Sequence, residues 1–223
     1  MNQDTHFLQG EGDAWFRRNR DYLLAQSDDW VSRDVPLRLL MARELQGKSV
    51  LELGCSLGRR LDVLSRLGVD RVVGTDASAE AVREGAALYP TLDLRHALIS
   101  TPIGDTFDLV IVNFVLHWVD RSSLSASIAA IDSALKTGGY LVLGDFLPDQ
   151  PTRRDYAHKP GLFTYKQDYA SCFSALGLYE VVEQRVFDHD DPSHPEMPPE
   201  MIDPQRRGVC VLLRKTEEGY VAS

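Results

Sequence analysis

The 223-residue chain has few cysteines: Cys55, Cys172 and Cys210, an odd and widely spaced set. That excludes a disulfide framework and a paired-cysteine metal site, and it suits a reducing compartment. Positive charge is also short. Lys and Arg total 24 against 33 Asp and Glu, for a net charge of −9. An acidic chain is a poor match for a phosphate backbone, so no nucleic-acid partner is expected. No apolar run approaches the roughly 18 residues of a membrane helix, so no membrane association is expected. Residues 1–13 lack a basic stretch followed by an apolar core, so no secretory signal is expected and a cytoplasmic location follows. Repeats and low-complexity tracts are missing too. What is present is ordinary globular composition, 43% hydrophobic and 26% charged, enough for one sizeable core.

Residues 1–46 read as a helical cap, with Trp15, Phe16, Tyr22, Leu23, Leu24 and Trp30 on its apolar face. Pro36 suits the first turn of a helix over 37–45, capped by Asp34 and stopped by Gly47. Residues 47–223 form one globular unit. Strands are predicted at 49–53, 71–75, 92–97, 107–112 and 139–143, with helices at 60–67, 79–88 and 124–135. Such alternation argues for βαβ units and a parallel sheet. The run at 107–112 is nearly all apolar, as a strand covered on both faces would be. A helix over 166–176 follows. Strands at 179–187 and 208–214 then form an antiparallel pair across a Pro-rich acidic stretch, 188–205. The segment 147–164 reads as a long lid loop, a type of element that often carries function.

One segment carries most of the functional signal: Val50-Leu51-Glu52-Leu53-Gly54-Cys55-Ser56-Leu57-Gly58. It is a strand, a glycine turn, then a helix, and such a turn lets backbone approach a ligand closely. A dinucleotide fingerprint needs glycine where Ser56 and Arg59 stand, so a nicotinamide oxidoreductase is disfavoured. Glu52 would also repel a pyrophosphate but attract a cation. Asp76 ends the second strand, about 20 residues after Gly54, where a ribose-binding carboxylate belongs.

These residues resemble the class I S-adenosylmethionine-dependent methyltransferases. The likeness rests on Glu52 to Gly58, Asp76, the strand Phe107-Asp108-Leu109-Val110, and Leu135-Lys136-Thr137-Gly138-Gly139-Tyr140-Leu141. It implies an α/β Rossmann-like fold, with seven strands in the order 3-2-1-4-5-7-6, strand 7 antiparallel, and helices on both faces. It implies S-adenosylmethionine as cofactor and S-adenosylhomocysteine as product. Glu52, Gly54, Cys55, Ser56 and Gly58 would frame the methionine part, and Asp76 and Ala77 the ribose. His96, Ala97 and Leu98 would flank adenine. Asn113, Phe114, Val115 and Trp118 would line the other side, with Trp15 and Arg18 closing from the N-terminal cap. Position 56 is usually glycine in the family and is serine here. Asn113 is not followed by the two prolines of base-amino methylases. The pattern from Asn113 to Val119 is similar instead to small-molecule methyltransferases. Segments 11–19 and 163–169 resemble bacterial enzymes of surface-glycan and natural-product pathways.

Methyl transfer aligns an acceptor with the sulfonium methyl, and a protic acceptor also needs a base. His117, after the fourth strand, is the first candidate base; His158 is the second, and Asp145 shares the rim. Between residues 148 and 166 four basic side chains, Arg153, Arg154, Lys159 and Lys166, face two acidic ones, Asp149 and Asp155. With Tyr156 and Tyr165 they would bind an anionic acceptor such as a carboxylate, sugar or sugar nucleotide. O-methylation of a small molecule is expected. N-methylation of an amine or amino sugar, and a silent cofactor- or partner-binding module, are the rivals. His189, Asp190, Asp191 and His194 have ligand chemistry but sit in a Pro-rich loop with no fixed geometry, so no metal site is expected.

Overall fold

The computed structural model describes residues 2–26, 29–191, 193 and 196–216. The sheet strands are β1 (Ser49–Leu53), β2 (Arg71–Asp76), β3 (Asp93–His96), β4 (Phe107–Asn113), β5 (Leu135–Phe146), β8 (Tyr179–Asp188) and β9 (Arg207–Lys215). β6 (Thr152–Asp155) and β7 (Phe163–Lys166) form a separate hairpin. The helices are α1 (Gln3–His6), α2 (Gly12–Ala25), α3 (Trp30–Arg33), α4 (Val35–Leu40), α5 (Arg59–Arg66), α6 (Ala79–Leu88), α7 (Leu124–Ala134) and α8 (Ala170–Ser174).

The seven-stranded sheet runs β3-β2-β1-β4-β5-β9-β8. β9 is antiparallel to both of its neighbours. The expected order and the single reversed strand are both found. Alternate side chains of each strand feed opposite faces. Leu51, Leu53, Val110, Val112 and Leu141 enter one core with Ile131 and Phe173. Val50, Leu109, Ile111 and Leu212 enter the other with Leu39, Leu61 and Leu64. Covered on both faces, β4 has no room for a polar side chain between Leu109 and Val112. The carboxyl ends of β1, β2, β4 and β5 meet at one rim, where α/β folds bind ligands.

Asp34 accepts from the Leu37 amide at 2.9 Å and caps α4, with Pro36 in the first turn, as expected; α4 stops at Leu40, well short of residue 45. Two tail elements differ from expectation. Residues 147–164 are not one loop: the hairpin β6–β7 grows from it. The helix expected over 166–176 is only α8, because Lys166 ends β7 and Asp168 caps the helix start through the Ala170 and Ser171 amides.

Candidate active site

β1 delivers the chain into Gly54 with φ +80°, and a Cβ there would strike the Val115 side chain. Only glycine takes this turn without collision. Ser56 also lies in the left-handed region, φ +50°, where a Cβ is strained. That turn aims the Ser56 amide at Asp76 Oδ2, 2.8 Å away, and the Ser78 amide donates to Oδ1 at 2.8 Å. Burial raises the Asp76 pKa, and these two amides pull against it. Each carboxylate oxygen has capacity for one more donor, as a diol would offer. The Ser56 hydroxyl is buried with no hydrogen-bond partner. α2 presses on the same corner: a Cβ on Gly12 would stand 2.7 Å from the Ala77 carbonyl oxygen.

Glu52 is 2% exposed and ion-paired to Arg60. Arg60 also forks onto Asp34, at 3.0 and 2.8 Å. Burial pushes the Glu52 pKa up to about 7, against the pull of Arg60. One carboxylate oxygen, Oε2, is buried and unpartnered. Glu52 thus stands behind the glycine loop and borders only a small recess off the main cavity.

A roof closes over the rim. The Gln3 side chain donates to the Trp118 and Phe163 carbonyls, at 2.6 and 2.8 Å, and accepts from the Phe163 amide at 2.8 Å. The N-terminus, the segment after β4 and the hairpin are thereby clasped together. Phe7 stacks on Trp118 with ring centroids 5.6 Å apart, and Trp15 meets the edge of the same indole at 5.6 Å. The Asp4 carboxylate accepts from the Asp120 amide at 2.7 Å and from the Ser123 hydroxyl.

Below the roof stands a buried pair. His117 Nδ1 lies 3.0 Å from Asp145 Oδ1. Asp145 already accepts from the His117 amide at 3.2 Å and the Phe146 amide at 2.8 Å. Surrounded by donors, the carboxylate holds Nδ1 as N–H and leaves the lone pair on Nε2. Trp118 and Phe146 wall the imidazole, at 4.5 and 5.1 Å between centroids.

The cavity encloses about 640 Å³, within the size range of small-molecule sites. Of the residues singled out in the sequence, Trp15, Gly54, Ser56, Asp76, Ala77, Ala97, Leu98, Asn113, Phe114, Val115, His117 and Trp118 border it. Several others do not. Cys55 borders the recess, and burial raises its thiol pKa well above the ordinary range. Gly58 caps α5 beneath the loop. His96 is exposed and meets the Ala77 carbonyl at 3.1 Å. Arg18 reaches Glu11 and the Tyr156 hydroxyl, both at 2.7 Å. Asp145 lies behind His117, in contact with its Nδ1.

The lid residues expected to bind substrate lie away from the cavity. Arg153 packs over Phe163, Tyr165 takes the Arg121 guanidinium, and Lys166 donates to the Gln205 carbonyl beside Phe146. Tyr156 belongs to the Arg18–Glu11 network. Arg154 and His158 are exposed, and Lys159 is half-buried. None of these side chains borders the cavity, because hairpin pairing turns them to the outer surface or into the roof. Sequence reasoning missed the far wall: Trp30, Arg33, Val35, Phe146, Phe187 and His189. Their one available signal was aromatic residues beside polar turns, too common to single out. Among the described residues no cluster of three potential metal ligands forms. His194 lies outside the described residues.

The glycine cradle, the buried Asp76 with acceptor capacity to spare, the orphaned Ser56 hydroxyl and the aromatic roof fit S-adenosylmethionine, which carries a ribose and no phosphate. Fold and site together have the features of the class I methyltransferases. The chain belongs to the methyltransferase-domain family, whose model matches residues 16–189. A protein of Mycolicibacterium smegmatis named "Probable S-adenosylmethionine-dependent methyltransferase" is 28% identical over 172 residues. The match covers 75% of this chain and 63% of that relative, so the chain spans less than two thirds of the relative's length. The Burkholderia thailandensis 1,6-didemethyltoxoflavin-N1-methyltransferase, solved with 1,6-didemethyltoxoflavin and S-adenosylhomocysteine, superposes with a TM-score of 0.69 at 17% identity. That match covers 96% of this chain and 89% of that one. A TehB-like methyltransferase from Corynebacterium glutamicum superposes with a TM-score of 0.63 at 19% identity, covering 93% and 100%. Both share the fold. Among the described residues no helix is long and apolar enough to cross a membrane.

Proposed function

We propose that this enzyme methylates a protic oxygen of a small, largely planar molecule, with His117 as general base. The observation that carries the reading is the His117–Asp145 pair, 3.0 Å apart, at the wall of an aromatic cavity. A carboxylate acceptor needs no base, so a tautomer-fixed histidine favours a hydroxyl. The chemistry supplied by S-adenosylmethionine is an electrophilic sulfonium methyl. The chain's own residues do the rest. Asp76 and the glycine loop hold the ribose and the amino-acid arm. Trp15, Phe7 and Trp118 exclude water from above. His117 Nε2 accepts the acceptor's proton as the oxygen attacks, and Asp145 stabilises the imidazolium that results. The aromatic lining by Trp30, Phe114, Phe146 and Phe187 suits a flat acceptor. Net charge of −9 favours a small molecule over nucleic acid, and three free thiols suit the cytoplasm.

The test is an acceptor screen with S-adenosylmethionine, comparing wild type with His117→Asn. The expected result is turnover of phenolic or alcoholic acceptors by wild type and a loss of roughly 10²–10⁴-fold in the variant. Turnover confined to carboxylates, with the variant unimpaired, would overturn the base assignment. Turnover of ring N–H acceptors alone would move the methylated atom to nitrogen. Cofactor binding with no turnover of any acceptor would favour a silent binding module.

A further inference from the structure

The far wall of the cavity carries a second imidazole that the reaction has not used. The wall grows from one row of the sheet. Phe146 of β5 and Phe187 of β8 pair with Gly208 of β9 from either side. A Cβ on Gly208 would stand 2.8 Å from the Phe187 ring, so the missing side chain gives that ring its place across β9. His189 follows Phe187 by two positions, the spacing that returns a strand to the same face. Backbone holds it there. Its amide donates to the Arg206 carbonyl at 2.9 Å, one step beyond the Asp188–Arg207 pair. Phe187 and His189 both border the cavity, and both reach Phe114.

The chain accepts strain to bring Phe114 to this place. Its φ is +55°, a left-handed conformation that a bulky residue rarely adopts. The Phe114 and His189 ring centroids are 4.3 Å apart, with planes at 35°. Phe146 and Phe187 meet the same phenyl ring edge-on, at 5.2 and 6.3 Å. The two imidazoles of the cavity therefore share neighbours. Phe146 is 5.1 Å from His117 and 4.9 Å from His189, and Phe114 is 6.2 and 4.3 Å from them. Among these hydrocarbon rings the imidazoles are the groups that carry a hydrogen-bond donor and acceptor in the ring plane.

We propose that His189 is a specificity-determining residue: it hydrogen-bonds a second polar substituent on the acceptor ring while His117 takes the proton of the hydroxyl being methylated. The acceptor class is then a hydroxyarene with a further hydrogen-bonding group, not a simple phenol. A flat acceptor that fills this end takes the place of water on both imidazoles. The reacting hydroxyl answers for His117, and the second substituent answers for His189. The inference rests on the reading of His117 as base for a hydroxyl acceptor.

The test is steady-state kinetics on matched acceptors. Dihydroxybenzenes and dihydroxynaphthalenes are compared with cresols and methylnaphthols, in which a methyl of similar size replaces the second hydroxyl. Wild type should prefer the dihydroxy series by roughly ten- to a hundredfold in kcat/KM, mostly through KM. His189→Phe keeps a ring on Phe114 but removes the hydrogen bond. It should erase that preference and leave the methyl series within about twofold. His189→Gln should restore part of the preference, since its amide again offers a donor and an acceptor. S-adenosylhomocysteine affinity, read by calorimetry, should be equal in all three proteins, which also shows that the variants are folded. Equal turnover of both series by wild type, or an unchanged preference in His189→Phe, would overturn the proposal. An equal loss on both series in His189→Phe would overturn it too, as the mark of a wall residue only. Weakened S-adenosylhomocysteine binding in both variants would also overturn it, by placing His189 in the cofactor half. Turnover of neither series by wild type would overturn the hydroxyl-acceptor reading itself, and this inference with it.

Discussion

The two halves of the cavity are built in opposite ways. The half around Asp76 is backbone: a strand end, a left-handed turn and two amides on Asp76, all within residues 50–78. The roof and far wall are side chains from segments distant in sequence, as when Gln3 clasps Phe163 across 160 residues. A backbone cradle tolerates little change, because one Cβ fills it. A side-chain wall can be altered one residue at a time. The fixed half therefore suits an invariant cofactor, and the assembled half suits a variable acceptor.

Breaking the cradle should have the largest effect. Asp76→Ala removes the diol acceptor and also frees the Ser56 and Ser78 amides. Affinity for S-adenosylhomocysteine should fall by about a hundredfold or more, read by calorimetry. Gly54→Ala should match it, since its Cβ strikes Val115. Next comes His117→Asn, which should cut turnover while S-adenosylhomocysteine affinity stays unchanged. That dissociation of binding from turnover sharpens the contrast between the halves.

Loosening the roof should matter less. Gln3→Ala deletes three side-chain hydrogen bonds and should cost about 1–3 kcal/mol in chemical denaturation. Its effect on cofactor affinity should be smaller than that of Asp76→Ala. If the two were equal, the halves would not be separable.

Glu52 gives a pH signature. Burial raises its folded pKa from an ordinary 4.5 to about 7, so between these values the folded state holds the proton more tightly. Stability should therefore fall as pH rises through that window. Glu52→Gln should flatten this part of the stability profile. The smallest effect is expected for Ser56→Gly. It relieves a left-handed serine at the expense of backbone entropy, so stability should change by about 1 kcal/mol or less.

The same contrast governs what the sequence reveals. The sheet order, the reversed strand β9, the glycine loop and Asp76 are legible because local patterns encode them: apolar runs, a turn residue, a spacing. The roof is not. The basic residues at 153–166 look like an anion-binding lid when read in line, but hairpin pairing turns Arg153 onto Phe163 and Tyr165 toward Arg121. His117 was legible from its place after β4. That Asp145 would hold it was not, because their pairing depends on the β4–β5 register. The place of His189 was hidden for the same reason: only the β8–β9 pairing carries it to the cavity wall.

The most direct test of the two-half account is one calorimetric comparison. S-adenosylhomocysteine is titrated into wild type and His117→Asn, with NAD as the control ligand. The expected result is equal micromolar binding to both proteins and no response to NAD. No adenosyl binding by wild type, or its loss in His117→Asn, would contradict the account.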